Sequence, residues 1–180
     1  PTIDISSQFI MENSAQVPKE IKPMNESVRT EIKTVAYYTD DAGDSQYEVL
    51  EKIVSKIPSE QSIMLIGRYH SDAEFIPNEL VMRNEKRNIV SVHISNRDIP
   101  YNTIHSAKGL EADNVIVVSC SQDGNGFPSR VSDDPILGYV LSAPETFPYA
   151  EERRLFYVAI TRARKQTYVM YNEKSPSCFI

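Results

Sequence analysis

A short polar segment in front of an apolar run carries side chains that suit phosphate and sugar chemistry. Residues 103–111 have the sequence TIHSAKGLE, and the fully apolar run 115–118 follows. Hydroxyl, imidazole and ammonium donors suit phosphate oxygens, whereas a carboxylate suits the hydroxyl groups of a sugar. In open α/β sheets ligands bind at strand ends, so a segment that leads into a strand is a candidate site. The alternatives are a surface histidine and a Lys108–Glu111 pair on one helical turn.

A second candidate segment is basic in an otherwise acidic chain. Residues 150–165 carry five basic and two acidic side chains, whereas the whole chain has a net charge of −6. Acidic side chains at its start and basic ones at its end suit the dipole of a helix, and we expect structural pairing for Arg153 and Arg154. This explanation fits Arg162 less well, because Arg162 follows an apolar run and emerges at the edge of the core. An arginine held there is suited to bidentate contact with a phosphate.

Arg68 is the third candidate. It directly follows the residues at 63–67, of which 63–66 form a continuous apolar run that predicts a strand buried on both faces. A charged residue at the end of such a strand is either its polar terminus or a ligand contact. Position alone favours neither interpretation.

The elements that must hold these residues alternate along the chain. Apolar and β-branched runs predict strands at 32–38, 63–66, 89–94, 115–118 and 167–171. Helical spacing and capping residues predict helices at 2–13, from Asp44 or Ser45 to Lys56, from Ser71 through Ile76, and at 150–163. Such alternation predicts an α/β fold with a mostly parallel sheet and helices on both faces.

Two segments lack these patterns. Residues 14–31 are polar and are predicted to form a loop. Residues 121–148 contain three of the six glycines, four prolines and several acidic residues, which predicts an acidic surface excursion within the domain.

Length and composition fit one globular domain. The chain has 180 residues, of which 41% are hydrophobic and 24% charged. No apolar run approaches the ~18 residues of a membrane-spanning helix, and the first residues lack a signal peptide, so we expect a cytoplasmic protein without a membrane partner. The missing initial Met suggests a fragment of a larger chain. Acidic balance argues against an autonomous nucleic-acid binder with a wide footprint, although a local basic site remains compatible with it.

No metal site is expected, because the histidines and cysteines lack the spacing of metal ligands, and the cysteines are predicted to be reduced thiols. These residues are His70, His93, His105, Cys120 and Cys178.

The candidate segments occur in the order and local sequence of one family. Residues 103–111 resemble motif V of the UvrD/Rep group of superfamily 1 helicases, and residues 151–164 resemble motif VI. Residues 63–68 resemble motif IV, and residues 2–13 resemble the helix that follows motif III. The resemblance implies that 1–180 is the second RecA-like domain of such an enzyme. No G-x-x-x-x-G-K-[ST] pattern is present, so the chain lacks its own P-loop and should not hydrolyse ATP alone.

The resemblance also implies roles for individual residues. Arg162 and Arg68 match arginines that contact the γ-phosphate of ATP and act in catalysis. Glu111 matches a glutamate near the ribose, and Lys108 and Gly109 belong to the same ATP-binding motif. Thr103 and His105 match residues that touch the backbone of single-stranded DNA. ATP and Mg²⁺ would be held mainly by the first RecA-like domain of the same protein, which is the expected partner.

The sequence departs from the family pattern in three places. Gly67 stands where several members have a tyrosine that stacks on adenine, and Ala112 stands where an aromatic residue is common. The interval from Arg68 to Thr103 is short, whereas many relatives insert a helical subdomain there. The resemblance therefore implies the C-terminal motor domain of an ATP-dependent DNA helicase or translocase. The alternative is a helicase-like ATPase that remodels a protein partner such as RNA polymerase without unwinding DNA.

Overall fold

The fold is built on a seven-stranded sheet. The structure is a computed structural model, which describes residues 8–12, 31–40, 42–84, 89–122, 126–129 and 147–180. In chain order the strands are β1 (Glu31–Tyr37), β2 (Ile63–Gly67), β3 (Val81–Asn84), β4 (Ile89–Ile94), β5 (Arg97–Thr103), β6 (Ala112–Val117) and β7 (Ala163–Asn172). They lie in the order β1-β7-β6-β2-β5-β4-β3. The first five strands of that order are parallel, whereas β4 and β3 are added antiparallel to β5.

Two α-helices cover opposite faces of the sheet. Helix α1 (Gln46–Lys56) begins after Ser45, which forms a capping box with Glu48, and it ends two residues before Pro58. Helix α2 (Ala150–Ile160) carries two glutamates in its first turn, where they complement the helix dipole. Two short 3-10 helices, His70–Ala73 and Asn78–Leu80, lie between β2 and β3.

The sheet separates two apolar clusters, because alternate side chains of a strand point to opposite faces. In β2, Ile63 and Leu65 join the cluster beneath α1, whereas Met64 and Ile66 join the cluster beneath α2. All four side chains are buried, as the continuous apolar run predicts. The predicted α/β sheet with helices on both faces is confirmed.

Strands β3 and β5 are absent from the sequence-based prediction. In β5, Asp98, Pro100 and Asn102 alternate with the buried Ile99 and Tyr101, so the segment shows a half-buried strand pattern with polar interruptions. Strand β5 is held by a hairpin with β4.

The turn of this hairpin consists of Ser95 and Asn96, whose φ angles are 50° and 60°. Positive φ at both central residues is the geometry that two-residue hairpin turns favour. The described residues in the short interval between Arg68 and Thr103 form two 3-10 helices, strands β3 and β4 and most of β5.

Other elements differ in their bounds. The helix predicted at 150–163 ends at Ile160, because residue 163 begins β7. The helix predicted from Ser71 is the 3-10 helix His70–Ala73. Of the helix predicted at 2–13, residues 8–11 are helical and 1–7 and 13 lie outside the described residues. Of the loop predicted at 14–31, only Glu31 is described, and it begins β1.

The predicted acidic excursion 121–148 lies largely outside the described residues, but a part of it is buried. Residues 126–129 are all buried, and Phe127 packs against Phe156 of α2 with ring centroids 5.6 Å apart. Residues 126–129 therefore lie in the interior rather than at the predicted surface, because Phe127 packs into the apolar cluster beneath α2.

Candidate functional site

Part of the predicted site lies at the carboxyl edge of the sheet, where the parallel strands end. Strand β2 ends at Gly67 and β5 ends at Thr103, and these two residues pair in the parallel register. Arg68 follows Gly67 directly, and His105 lies two residues after Thr103. The structure thus brings Arg68 together with the two predicted DNA-binding residues.

Another part lies at the amino edge, where β6 and β7 begin. The first residues of these strands, Ala112 and Ala163, are paired, and the N–H of Ala112 donates to the carbonyl oxygen of Arg162 at 3.2 Å. Glu111 and Arg162 therefore lie side by side at this edge. A six-residue strand spans roughly 20 Å, so the fold separates Arg162 from Arg68 by about that length. The structure does not bring the two predicted catalytic arginines together.

The guanidinium of Arg68 is paired with protein groups. Its Nε lies 3.0 Å from Oε1 of Glu152 and its Nη2 lies 2.8 Å from the same oxygen. Its Nη1 lies 3.2 Å from Nε2 of His105, and its planar end stacks 4.7 Å from the ring centre of Tyr69. Burial acts to lower the pKa of Arg68, but hydrogen bonding and the charge of Glu152 raise it above its ordinary value. Arg68 is therefore a half-buried, permanently charged side chain that contacts both Glu152 and His105.

Asp72 fixes the backbone that carries this arginine. One of its oxygens accepts the N–H of Arg68 at 2.7 Å and the N–H of Tyr69 at 3.2 Å. The other oxygen is buried without a hydrogen-bond partner in the described part of the chain. Burial raises the pKa of Asp72. The carboxyl group thus shapes the turn after β2 at an electrostatic cost.

The segment between β5 and β6 carries the chain from one edge of the sheet to the other. Its first turn is held by the carbonyl oxygen of Thr103, which accepts the N–H of Ala107 at 2.9 Å and the hydroxyl of Ser106 at 2.9 Å. Ile104 and Ala107 are buried and anchor the turn in the core. His105 is exposed beside them.

The end of this segment presents polar groups to solvent. Lys108 and Glu111 are exposed, and Gly109 has a φ of 85° with open space where a side chain would begin. Left-handed backbone at that place favours glycine, which leaves the main chain accessible to a ligand. These three predicted ATP-binding residues therefore lie in the segment that leads to the amino edge of the sheet, where Arg162 is located.

Arg162 differs from its basic neighbours in its partners. Its Nε donates to the carbonyl oxygen of Val158 at 3.0 Å, and its Nη2 lies 3.3 Å from Oγ1 of Thr161. Across the described ranges, no carboxylate forms an ion pair with Arg162. Arg164, by contrast, lies 3.6 Å from an oxygen of Asp113. Arg162 is half-buried and retains N–H donors for an anion.

The two arginines within α2, Arg153 and Arg154, have structural partners, as predicted. Arg153 lies 2.6 Å from a carboxylate oxygen of Glu12, and its guanidinium lies over three phenylalanine rings. Arg154 pairs with Glu151 at 2.8 Å.

Sequence reasoning missed Glu152, which it assigned to the helix dipole alone. Two adjacent glutamates at the start of a helix carry no signal that tells the exposed one from the buried one. That distinction follows from the packing of α2 against β2.

Two negative findings concern the described residues alone. Within them, no three His, Cys, Asp or Glu side chains are grouped so that they could hold a metal ion. No helix in the same ranges has the length and apolar character needed to cross a membrane.

Several DNA helicases are similar to this chain in sequence. DNA helicase IV of Escherichia coli (strain K12) is 30% identical over 177 residues, which cover 98% of this chain and 24% of the helicase. DNA helicase II of Rickettsia typhi (strain ATCC VR-144 / Wilmington) is 32% identical over 149 residues, which cover 80% of this chain and 20% of that protein. The chain thus spans about a quarter or less of the length of these relatives.

A solved structure and a family model complete the comparison. The C-terminal domain of a possible DNA helicase from Lactobacillus plantarum WCFS1 aligns with a TM-score of 0.56 and 16% identity, covering 99% of this chain and 87% of that one. This likeness supports the RecA-like α/β fold. The model of the UvrD-like helicase C-terminal domain matches residues 82–174. The chain belongs to the UvrD-like helicase C-terminal domain family.

Proposed function

We propose that this chain is the second RecA-like domain of an ATP-dependent DNA helicase or translocase and that it completes an ATP site at the amino edge of its sheet. The observation that carries the proposal is the burial of Arg162 and the set of its hydrogen-bond partners. This half-buried guanidinium bonds only to a carbonyl and a hydroxyl oxygen among the described residues, and its main chain lies beside that of Glu111, whose side chain is exposed. An anion that reaches this edge gains a preorganised cation.

The donors at this edge fit a nucleoside triphosphate. Arg162 would contact the γ-phosphate, where an arginine stabilises the charge of the transferred phosphoryl group and accelerates hydrolysis by ~10³–10⁵. Glu111 would accept hydrogen bonds from the ribose, with Lys108 and the open backbone at Gly109 nearby. ATP supplies the phosphoryl group whose transfer to water drives the cycle.

The first RecA-like domain of the full-length protein would bring the remaining parts of the site. It would hold the P-loop and the Mg²⁺ that accompanies ATP, since the described residues of this chain offer no metal-ligand cluster. The isolated chain is therefore expected to be inactive.

The opposite edge of the sheet would contact single-stranded DNA. Thr103 and His105 lie there and offer polar side chains to the phosphate backbone. Because Arg68 lies at this edge and is occupied by Glu152, we propose the γ-phosphate contact for Arg162 alone.

The test is ATP hydrolysis by the full-length protein with and without single-stranded oligothymidylate. Arg162→Ala is expected to lower the DNA-stimulated kcat by about 10³-fold. Arg164→Ala is the matched control, because Arg164 pairs with Asp113, and it should stay within about twofold of wild type. An unchanged rate in Arg162→Ala would contradict the proposal.

The alternative, an ATPase that acts on RNA polymerase, gains no support from the relatives described above, whose names refer to DNA helicases. Hydrolysis that depends on Arg162 but not on DNA would redirect attention to a protein partner.

A further inference from the structure

We infer that Glu152 is a positioning residue that couples the nucleotide edge of the sheet to the DNA edge by holding Arg68 against His105. The inference rests on the proposed function, because it assigns a link between the two sites named there. It concerns a carboxylate that neither site uses directly.

Glu152 joins three parts of the fold through one carboxylate. Its Oε1 accepts hydrogen bonds from Nε and Nη2 of Arg68 at 3.0 and 2.8 Å. Its Oε2 accepts the backbone N–H of Ser129 at 3.0 Å. The side chains of Glu152 and Arg68 are only 12% and 14% exposed, so salt screens this pair less than a surface pair. Helix α2, strand β2 and the buried segment 126–129 therefore meet at this carboxylate.

Arg68 also contacts His105, so the position of the guanidinium restricts the orientation of the histidine ring. A guanidinium carries donors only, so Nε2 of His105, 3.2 Å from Nη1 of Arg68, must act as the acceptor. The contact therefore selects the tautomer in which Nε2 carries no proton. Glu152 thus fixes the orientation and tautomer of a residue that we propose to contact DNA.

Helix α2 connects this arrangement to Arg162. Glu152 lies in the first turn and Arg162 follows two residues after the last helical residue, Ile160. At 1.5 Å per residue Glu152 and Ile160 are about 12 Å apart along the helix, and Arg162 lies just beyond its end. Phe156 and Ile160 of this helix are buried in the core, so their packing opposes local bending between its two ends. In the proposed coupling, a shift of Arg162 towards a phosphate acts through this helix on the Arg68–Glu152 pair.

Glu151 provides a matched control in the same helical turn. It carries the same charge next to Glu152 and experiences the same helix dipole. Its side chain is 60% exposed and pairs with Arg154 at the surface. Removing its charge tests the effects of charge and helix dipole, which both glutamates share, without disturbing the contacts of Glu152 with Arg68 and Ser129.

The experiment measures ATP hydrolysis by the full-length protein against the concentration of single-stranded oligothymidylate. Glu152→Gln is expected to reduce the ratio of DNA-saturated to DNA-free kcat by about tenfold and to raise the half-stimulating DNA concentration by a similar factor. Glu151→Gln should leave both quantities within about twofold of wild type.

A second variant distinguishes loss of this contact from a general folding defect. Arg68→Lys keeps the positive charge beside Glu152, but a single ammonium cannot span both Glu152 and His105 as the guanidinium does. It should reproduce the loss of stimulation, and Glu152→Gln combined with Arg68→Lys should be no worse than the more severe single variant. Normal stimulation in Arg68→Lys, or equal behaviour of Glu151→Gln and Glu152→Gln, would overturn the inference. A wild-type enzyme that ignores DNA would overturn the proposed function and this inference with it.

Discussion

The hydroxyl of Tyr101 occupies the space into which a side chain at residue 67 would extend. A Cβ atom built on Gly67 would lie 2.0 Å from this oxygen and 3.0 Å from Cβ of Asp72. The hydroxyl in turn donates to the carbonyl oxygen of Tyr69. A buried tyrosine on the neighbouring strand therefore requires glycine at position 67.

Gly67→Ala should destabilise the 180-residue chain by about 1–3 kcal/mol, because the added methyl group overpacks the turn after β2. Urea unfolding followed by far-UV circular dichroism measures the change. Combining Gly67→Ala with Tyr101→Phe removes the closest atom, so the double variant should lose less stability than the sum of the two single variants. Strict additivity would show that the two positions do not clash.

Phe127→Ala should destabilise the chain by about 3–5 kcal/mol, because Phe127 is fully buried between the sheet and α2. The urea midpoint reports the change, and Met82→Ala serves as the control since Met82 is 42% exposed on β3. Equal and small effects of the two substitutions would mean that 126–129 contributes nothing to the core.

Asp72→Asn should weaken the dependence of stability on pH. Because burial raises the pKa of Asp72, the folded chain retains its proton at pH values where the unfolded chain has lost it. The contribution of Asp72 to the free energy of unfolding is therefore complete at low pH. It declines as pH rises from the ordinary Asp pKa of 3.8 through the higher pKa of the folded chain. The amide can still accept the N–H groups of Arg68 and Tyr69 without carrying a charge.

Urea unfolding of wild type and Asp72→Asn across pH 4 to 7 measures this difference. The stability of the variant relative to wild type should rise with pH over that window. A relative stability that falls with increasing pH would reverse the assigned role of burial.

Glu111→Gln should raise the KM for ATP of the full-length protein by about tenfold while kcat changes less. A carboxylate that bonds to ribose contributes equally to the ground state and the transition state, so its loss appears in KM. Steady-state hydrolysis at saturating DNA provides both constants, and Glu151→Gln, at the other edge of the sheet, is the charge-matched control. An unchanged KM would place Glu111 outside the nucleotide site.

Several elements are predictable from the sequence because their signals are local. The run 63–66 is apolar at every position, so it specifies a strand buried on both faces before any partner is known. Ser45 and Glu48 determine the start of α1 within four residues. The residue types of 103–111 and of Arg162 likewise indicate phosphate chemistry and a helicase family without reference to a fold.

The tertiary structure decides which of these groups meet. Arg68 and Glu152 are 84 residues apart in sequence, and no local pattern distinguishes Glu152 from Glu151. Strand order and direction place Arg68 at one edge of the sheet and Arg162 at the other, because β2 ends where β7 has its carboxyl end. The composition around residues 126–129 predicts a surface position, whereas in the structure Phe127 fills the space beneath α2. Such pairings depend on long-range packing, in which each residue's environment is supplied by chain segments far away in sequence.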